Sequence, residues 1–216
     1  DVEEIIDSGK KVTGIRCVDG RQMDADLVVC NADPPTVYRE MMPLGGKSFL
    51  RPKKIIPEAL TKYSMGLYVL YFGTTRQYPD VAHHTIWLGE RFKGLLNDIF
   101  NKQIATDDFS LYLHRPTATD PSFAPEGCDS FYILCPVPNL QGNIDWDIYG
   151  PELRDRIVKA LSETIMPDLE NHVTADFWMH PGDFEKQYRA THGAGFSIAP
   201  VFRQSAWFRY HNQDPD

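Results

Sequence analysis

Ala25-Asp26-Leu27-Val28-Val29-Cys30-Asn31-Ala32-Asp33-Pro34-Pro35 is the stretch on which the fold turns. Leu27-Val28-Val29-Cys30 is apolar without alternation, the pattern of a strand buried on both faces. Asn31 breaks the run, and Asp33 stands where a helix N-cap would, ahead of prolines placed where a missing N–H costs nothing. The reading is a buried strand followed by a helix from about Pro34 to Met41.

Upstream, Val2 to Ile6 and Lys11 to Val18 are rich in Val and Ile, and Ala25 to Cys30 follows them. Ser8-Gly9-Lys10 and Asp19-Gly20 separate these runs, the second being a type I′ hairpin signal, so a small antiparallel meander is expected. Downstream, Pro43 to Pro57 is rich in Gly, Pro and Lys and reads as a connection between structural layers. Its Gly45-Gly46-Lys47 lacks the spacing and the strand-to-helix context of a phosphate-binding loop. Beyond it, Tyr63 to Gly73, Ala82 to Leu88, Phe109 to His114, Phe131 to Val137 and Val173 to Met179 read as strands. Arg91 to Lys102 carries Phe92, Leu95, Leu96, Ile99 and Phe100 at helical spacing, and Pro151 to Met166 opens on Pro then Glu. The fold class is therefore α+β: a meander and one strand belonging to one body, then a mixed, mainly antiparallel sheet carrying helices on one side.

The 216 residues carry 30 acidic against 22 basic side chains, a formal charge of −8, which disfavours nucleic acid as a partner. The apolar run Leu67 to Phe72 is far shorter than the roughly 20 residues a membrane-spanning helix needs. Cys17, Cys30, Cys128 and Cys135 show no C-x-x-C spacing and read as reduced thiols of a cytosolic protein. The chain opens on Asp1 and stops at Asp216, just after an aromatic and basic run, and the expectation is a fragment.

No metal site is expected, because the neighbours His83 and His84 should point to opposite faces of a strand and share no ion with His114. Asp107-Asp108 and Asp145-Trp146-Asp147 read as solvated loop carboxylates, and no G-x-S-x-G nucleophile turn occurs. Gln204 to Asn212 interleaves large rings with Arg209 and His211, a composition that serves a lined apolar cavity or ordinary packing.

Val12-Thr13-Gly14-Ile15-Arg16, the run from Ala25 to Pro34, Ala82 to Ile86, Asp107 to His114, Ala124 to Cys128, Pro136 to Leu140, Leu153 to Ile157 and Gln204 to Arg209 together resemble a bacterial-type phytoene desaturase. The resemblance implies a two-domain FAD/NAD(P)-binding flavoprotein that dehydrogenates carbon–carbon bonds of phytoene toward neurosporene or lycopene. Residues 1–42 would then be a remnant of the FAD-binding domain, including one strand of its Rossmann sheet. Residues 43–200 would form the polyene-binding domain, and 201–216 a return toward the flavin.

By the same resemblance, Val2, Asn31 and Ala32 meet the cofactor, and His211 handles the proton beside Arg209. Tyr68, Tyr71, Phe72, Tyr112, Tyr132, Trp207 and Phe208 would contact the polyene. Family members usually read R-P-H-N-R-D where this chain has Arg209-Tyr210-His211-Asn212-Gln213-Asp214. Neither the G-x-G-x-x-G of the family nor its C-terminal glycine-rich segment occurs here, so FAD binding by these residues alone is expected to be weak or absent. The intact enzyme is expected to sit peripherally on the cytoplasmic side of a membrane, and no feature specifies an oligomeric state. Two alternatives stand beside this reading: a non-catalytic lipid- or polyene-binding module, and a desaturase of another carotenoid or a squalene-type polyene.

Overall fold

The structure, a computed structural model, describes residues 1–8, 11–42 and 57–210. The chain divides into two compact units, one drawn from Asp1–Ser64, Glu185–Thr191 and Phe196–Asp216, the other from Met65–Phe184 and His192–Gly195. Compactness thus divides the chain at other points than residues 42 and 200.

In the first unit β1 (Val2–Asp7), β2 (Val12–Cys17) and β3 (Gln22–Asp24) form the antiparallel meander in the order β1-β2-β3. The β2–β3 hairpin closes with Cys17 N–H donating to Arg21 O at 2.8 Å, across three loop residues of which only Gly20 has a positive φ, +84°. That is the three-residue hairpin with a left-handed glycine, not type I′, which needs two positive φ values in succession. α1 (Pro34–Thr36) runs on into a wide π turn at Val37–Met41, and Ile5, Val37 and Met41 are buried together.

Two expectations for this unit are corrected. Leu27 to Cys30 is no strand, and Leu27 and Val29 are 77% and 88% exposed. A sheet strand exists only through hydrogen-bonded neighbours, and among the described residues none pairs with this run. Asp33 occupies the N-cap position of α1, its carbonyl accepting from Val37 N–H at 3.0 Å while its side chain makes no bond to the helix. Prolines at the first two helical positions leave it no N–H there, and its carboxylate accepts instead from Thr191 N–H at 2.9 Å and Thr191 Oγ1 at 2.6 Å.

The second unit is a five-stranded sheet of β4 (Gly66–Thr74), β5 (His84–Trp87), β6 (Leu111–His114), β7 (Asp129–Val137) and β8 (Val173–Met179), paired antiparallel in the order β5-β6-β7-β4-β8. β7 alternates buried and half-buried residues along its whole length, so the sheet has one dry face and one partly open face. α2 (Phe92–Asn97) continues into a π turn at Asp98–Lys102, and of its apolar residues Leu95 and Ile99 are buried while Phe92, Leu96 and Phe100 stay exposed. α3 (Trp146–Glu163) starts a turn before the expected Pro151, because Asp145 accepts from Asp147 N–H at 3.1 Å and caps it. Leu153, Ile157, Val158 and Leu161 of α3 pack into one buried core with Tyr68, Leu70, Phe72, Leu111, Leu113, Ile133 and Cys135 from the dry face. Burial pushes the Cys135 thiol up to about 12. α4 (Pro181–Tyr188) follows β8.

Candidate functional site

Register decides which side chains gather on the open face. His84, His114, Tyr132, Tyr71 and Phe177 stand directly opposite one another on β5, β6, β7, β4 and β8 and form one row of rings across the sheet. Neighbouring centroids lie 5.2, 4.6, 5.9 and 4.6 Å apart along that row. Two residues along each strand, Ile86, Tyr112, Leu134, Val69 and Met179 form a second, almost wholly apolar row on the same face, in which Val69 is buried at 3% exposure. Five strands at about 4.8 Å spacing make the strip roughly 19 Å wide. Ile86 and Phe177, at its two edges, are 64% and 60% exposed.

This geometry sorts the expected polyene-contacting residues. Tyr71, Tyr112 and Tyr132 share the open face, whereas Tyr68 and Phe72 point to the dry face beneath α3. Tyr68 is fully buried, donates its hydroxyl to Gly150 O at 2.9 Å, and burial pushes the pKa of that hydroxyl up. Residues 68 and 72 are an even number apart and 71 is not, so the alternation that separates them was present in the sequence. Phe177, Ile86 and Leu134 belong to the open face and were missed, because no ring periodicity marks them within a single strand.

The histidines come together against expectation. β5 begins only at His84, and His83 lies in a bend before it, held by Arg115 N–H donating to His83 O at 2.9 Å. Freed from strand alternation, His83 brings its Nε2 to 3.0 Å from Nε2 of His114, and His84 joins them. Burial, then the neighbouring His83 and His84, depress the ionisation of His114 below the ordinary imidazole range. The loop carboxylates are structural: Asp108 accepts from the N–H groups of Glu90 and Arg91, and Asp107 pairs with Arg156 at 2.8 Å. A groove of about 780 Å³ mixes charged residues such as Arg91, Asp107, Arg156 and Lys159 with Trp87, Ile104, Phe109 and Tyr149.

In the first unit, Trp207 and Phe208 lie in a short 3₁₀ turn (Ala206–Phe208) and are 81% and 55% exposed, with Arg209 exposed beside them. His211 lies outside the described residues. Val2 is half-buried with its carbonyl accepting from Arg189 Nη1 at 2.8 Å, and Ala32 packs on the small core of that unit while Asn31 is exposed. Next to them Asp33 Oδ1 is buried without a hydrogen-bond partner. Asn31, Ala32 and Asp33 are consecutive, with Asn31 open to solvent. They do not supply the glycine-rich backbone cradle a pyrophosphate needs. Among the described residues no helix is long and apolar enough to cross a membrane.

No family model matches the chain. Compared with individual proteins, it is 44% identical over its whole length to the lycopene-forming phytoene desaturase of Pseudescherichia vulneris. It is also 39% identical, over 98% of its length, to the neurosporene-forming phytoene desaturase of Rhodobacter capsulatus. The chain belongs to the phytoene desaturase family. It spans 43% and 41% of the length of these two family members. Among solved structures, an oxidoreductase from Methanosarcina mazei aligns with 83% of the chain and 36% of its own at 18% identity, with a TM-score of 0.46.

Proposed function

We propose that this chain supplies the polyene-contacting sheet of an FAD-dependent phytoene desaturase, active within the longer family protein. The observation that carries the reading is the pair of transverse rows on the open face. A strip of Tyr, Phe, Ile, Leu, Val and Met side chains, with His84 and His114 at one end, suits a long hydrocarbon that presents no hydrogen-bonding group. Bound FAD would supply the hydride-accepting redox chemistry that dehydrogenation of a polyene requires. The chain's own residues would orient the polyene, keep water from it, and contact the cofactor through Val2, Asn31 and Ala32. Arg209 and His211 remain the proposed proton-handling pair, and the substrate, dissolved in lipid, would bring the intact enzyme to a membrane surface. Lycopene and neurosporene are both formed by relatives of similar identity, so either is a candidate product.

The test uses the 216-residue protein and phytoene dispersed in detergent, with binding read from quenching of intrinsic fluorescence. Ile86→Asp and Phe177→Asp change exposed positions and are expected to keep the melting transition while each weakens binding at least tenfold, about 1.4 kcal/mol. Tyr68→Phe, on the dry face, should leave binding unchanged. If both Asp variants bind as tightly as the parent, the open face is not the polyene surface. If binding behaves as expected but the full-length enzyme with FAD yields no desaturated product, the lipid-carrying alternative takes its place.

A further inference from the structure

The geometry points to a divalent transition-metal site formed by His83, His84 and His114 at the edge of the open sheet face. One ring nitrogen from each lies within 4.8 Å of the others, and the closest pair, Nε2 of His83 and of His114, is 3.0 Å apart. Ligands about 2.0–2.1 Å from a tetrahedral ion stand roughly 3.3 Å from one another, a spacing that the His83 and His114 nitrogens already approach at 3.0 Å. The opposite nitrogens are already engaged. Nδ1 of His114 meets the Tyr132 hydroxyl at 3.0 Å, Nδ1 of His84 meets the Tyr112 hydroxyl at 2.7 Å, and Nδ1 of His83 contacts Thr119 Oγ1. Each imidazole thus has Nδ1 held by a hydroxyl, and Nε2 of His83 and of His114 face each other, the outer-sphere arrangement that fixes tautomer and ring orientation in metal-ligating histidines. An all-imidazole set favours zinc, nickel or copper over magnesium or calcium. With His84 exposed, water can complete the coordination, as in sites that keep an open position.

The test is a titration of the metal-free 216-residue protein with Zn²⁺ by calorimetry and with Co²⁺ by visible absorption, where a four-coordinate site gives intense bands. One ion per chain is expected. His84→Gln alters an exposed side chain and should lower affinity at least tenfold without changing the melting transition, and His83→Gln should do the same. Tyr132→Phe, which removes only the hydroxyl behind His114, is expected to cost about tenfold. His172→Gln, at an imidazole paired with Asp168 elsewhere, should have no effect. Absence of saturable binding would overturn the site, as would binding that His84→Gln and His83→Gln leave intact. Neither outcome depends on polyene binding, so the two readings fail separately.

Discussion

Asp129 shows how much one side chain can organise. It is fully buried at the start of β7, where its carboxylate accepts from Arg115 Nε and Nη2 at 2.9 and 3.2 Å, Thr117 Oγ1 at 2.6 Å and Tyr78 N–H at 2.7 Å. Arg115 is itself 7% exposed, and its backbone N–H holds His83, so the buried pair also sets the position of the histidine cluster. Removing one partner leaves a buried unpaired charge. Asp129→Ala is therefore expected to lower the free energy of unfolding by about 3–5 kcal/mol, measured by urea denaturation. A loss below about 1 kcal/mol would show that water replaces the carboxylate at little cost. None of this was legible in the sequence: the apolar run there begins at Phe131, and the Asp129–Arg115 pairing follows from β6 lying beside β7, which no local pattern encodes.

At the scale of elements, the sequence told more about existence than about edges. All five strands of the second unit form where Val, Ile and aromatic residues cluster between turns, since β-branched and aromatic side chains suit a half-buried pleated surface. The start of α3 was misplaced because proline is favoured at a first helical position, and Pro151 follows an apt Gly150. The helix instead takes its cap from Asp145, read from sequence as a solvated carboxylate. Asp145→Ala is expected to destabilise the unit by about 1 kcal/mol, with a lower melting temperature and unchanged sheet signal. An effect indistinguishable from zero would mean that packing of Trp146 alone fixes the first turn. The run Leu27 to Cys30 marks the opposite limit: its composition specifies a strand, but composition cannot provide the neighbours that make one.

At the scale of the whole molecule, the cofactor is the decisive question. A dinucleotide is held chiefly at its pyrophosphate, by backbone N–H groups of a glycine-rich turn and the helix that follows. The proposed cofactor contacts Val2, Asn31 and Ala32 include no such turn. The 216-residue protein is therefore expected to show no saturable change in flavin absorbance or fluorescence on titration with FAD. In a chimera where this chain replaces the matching 43% of the lycopene-forming Pseudescherichia vulneris enzyme, the proposed flavin binding is expected to appear, because the remaining segments of a family member surround the chain. Tight FAD binding by the 216 residues alone would place the anchor inside this chain and contradict the argument from the pyrophosphate. Desaturated product from the chimera would support the polyene role of the sheet. A chimera that keeps its flavin yet leaves phytoene unchanged would separate fold from function, showing a sheet able to complete the flavoprotein but unable to seat its substrate.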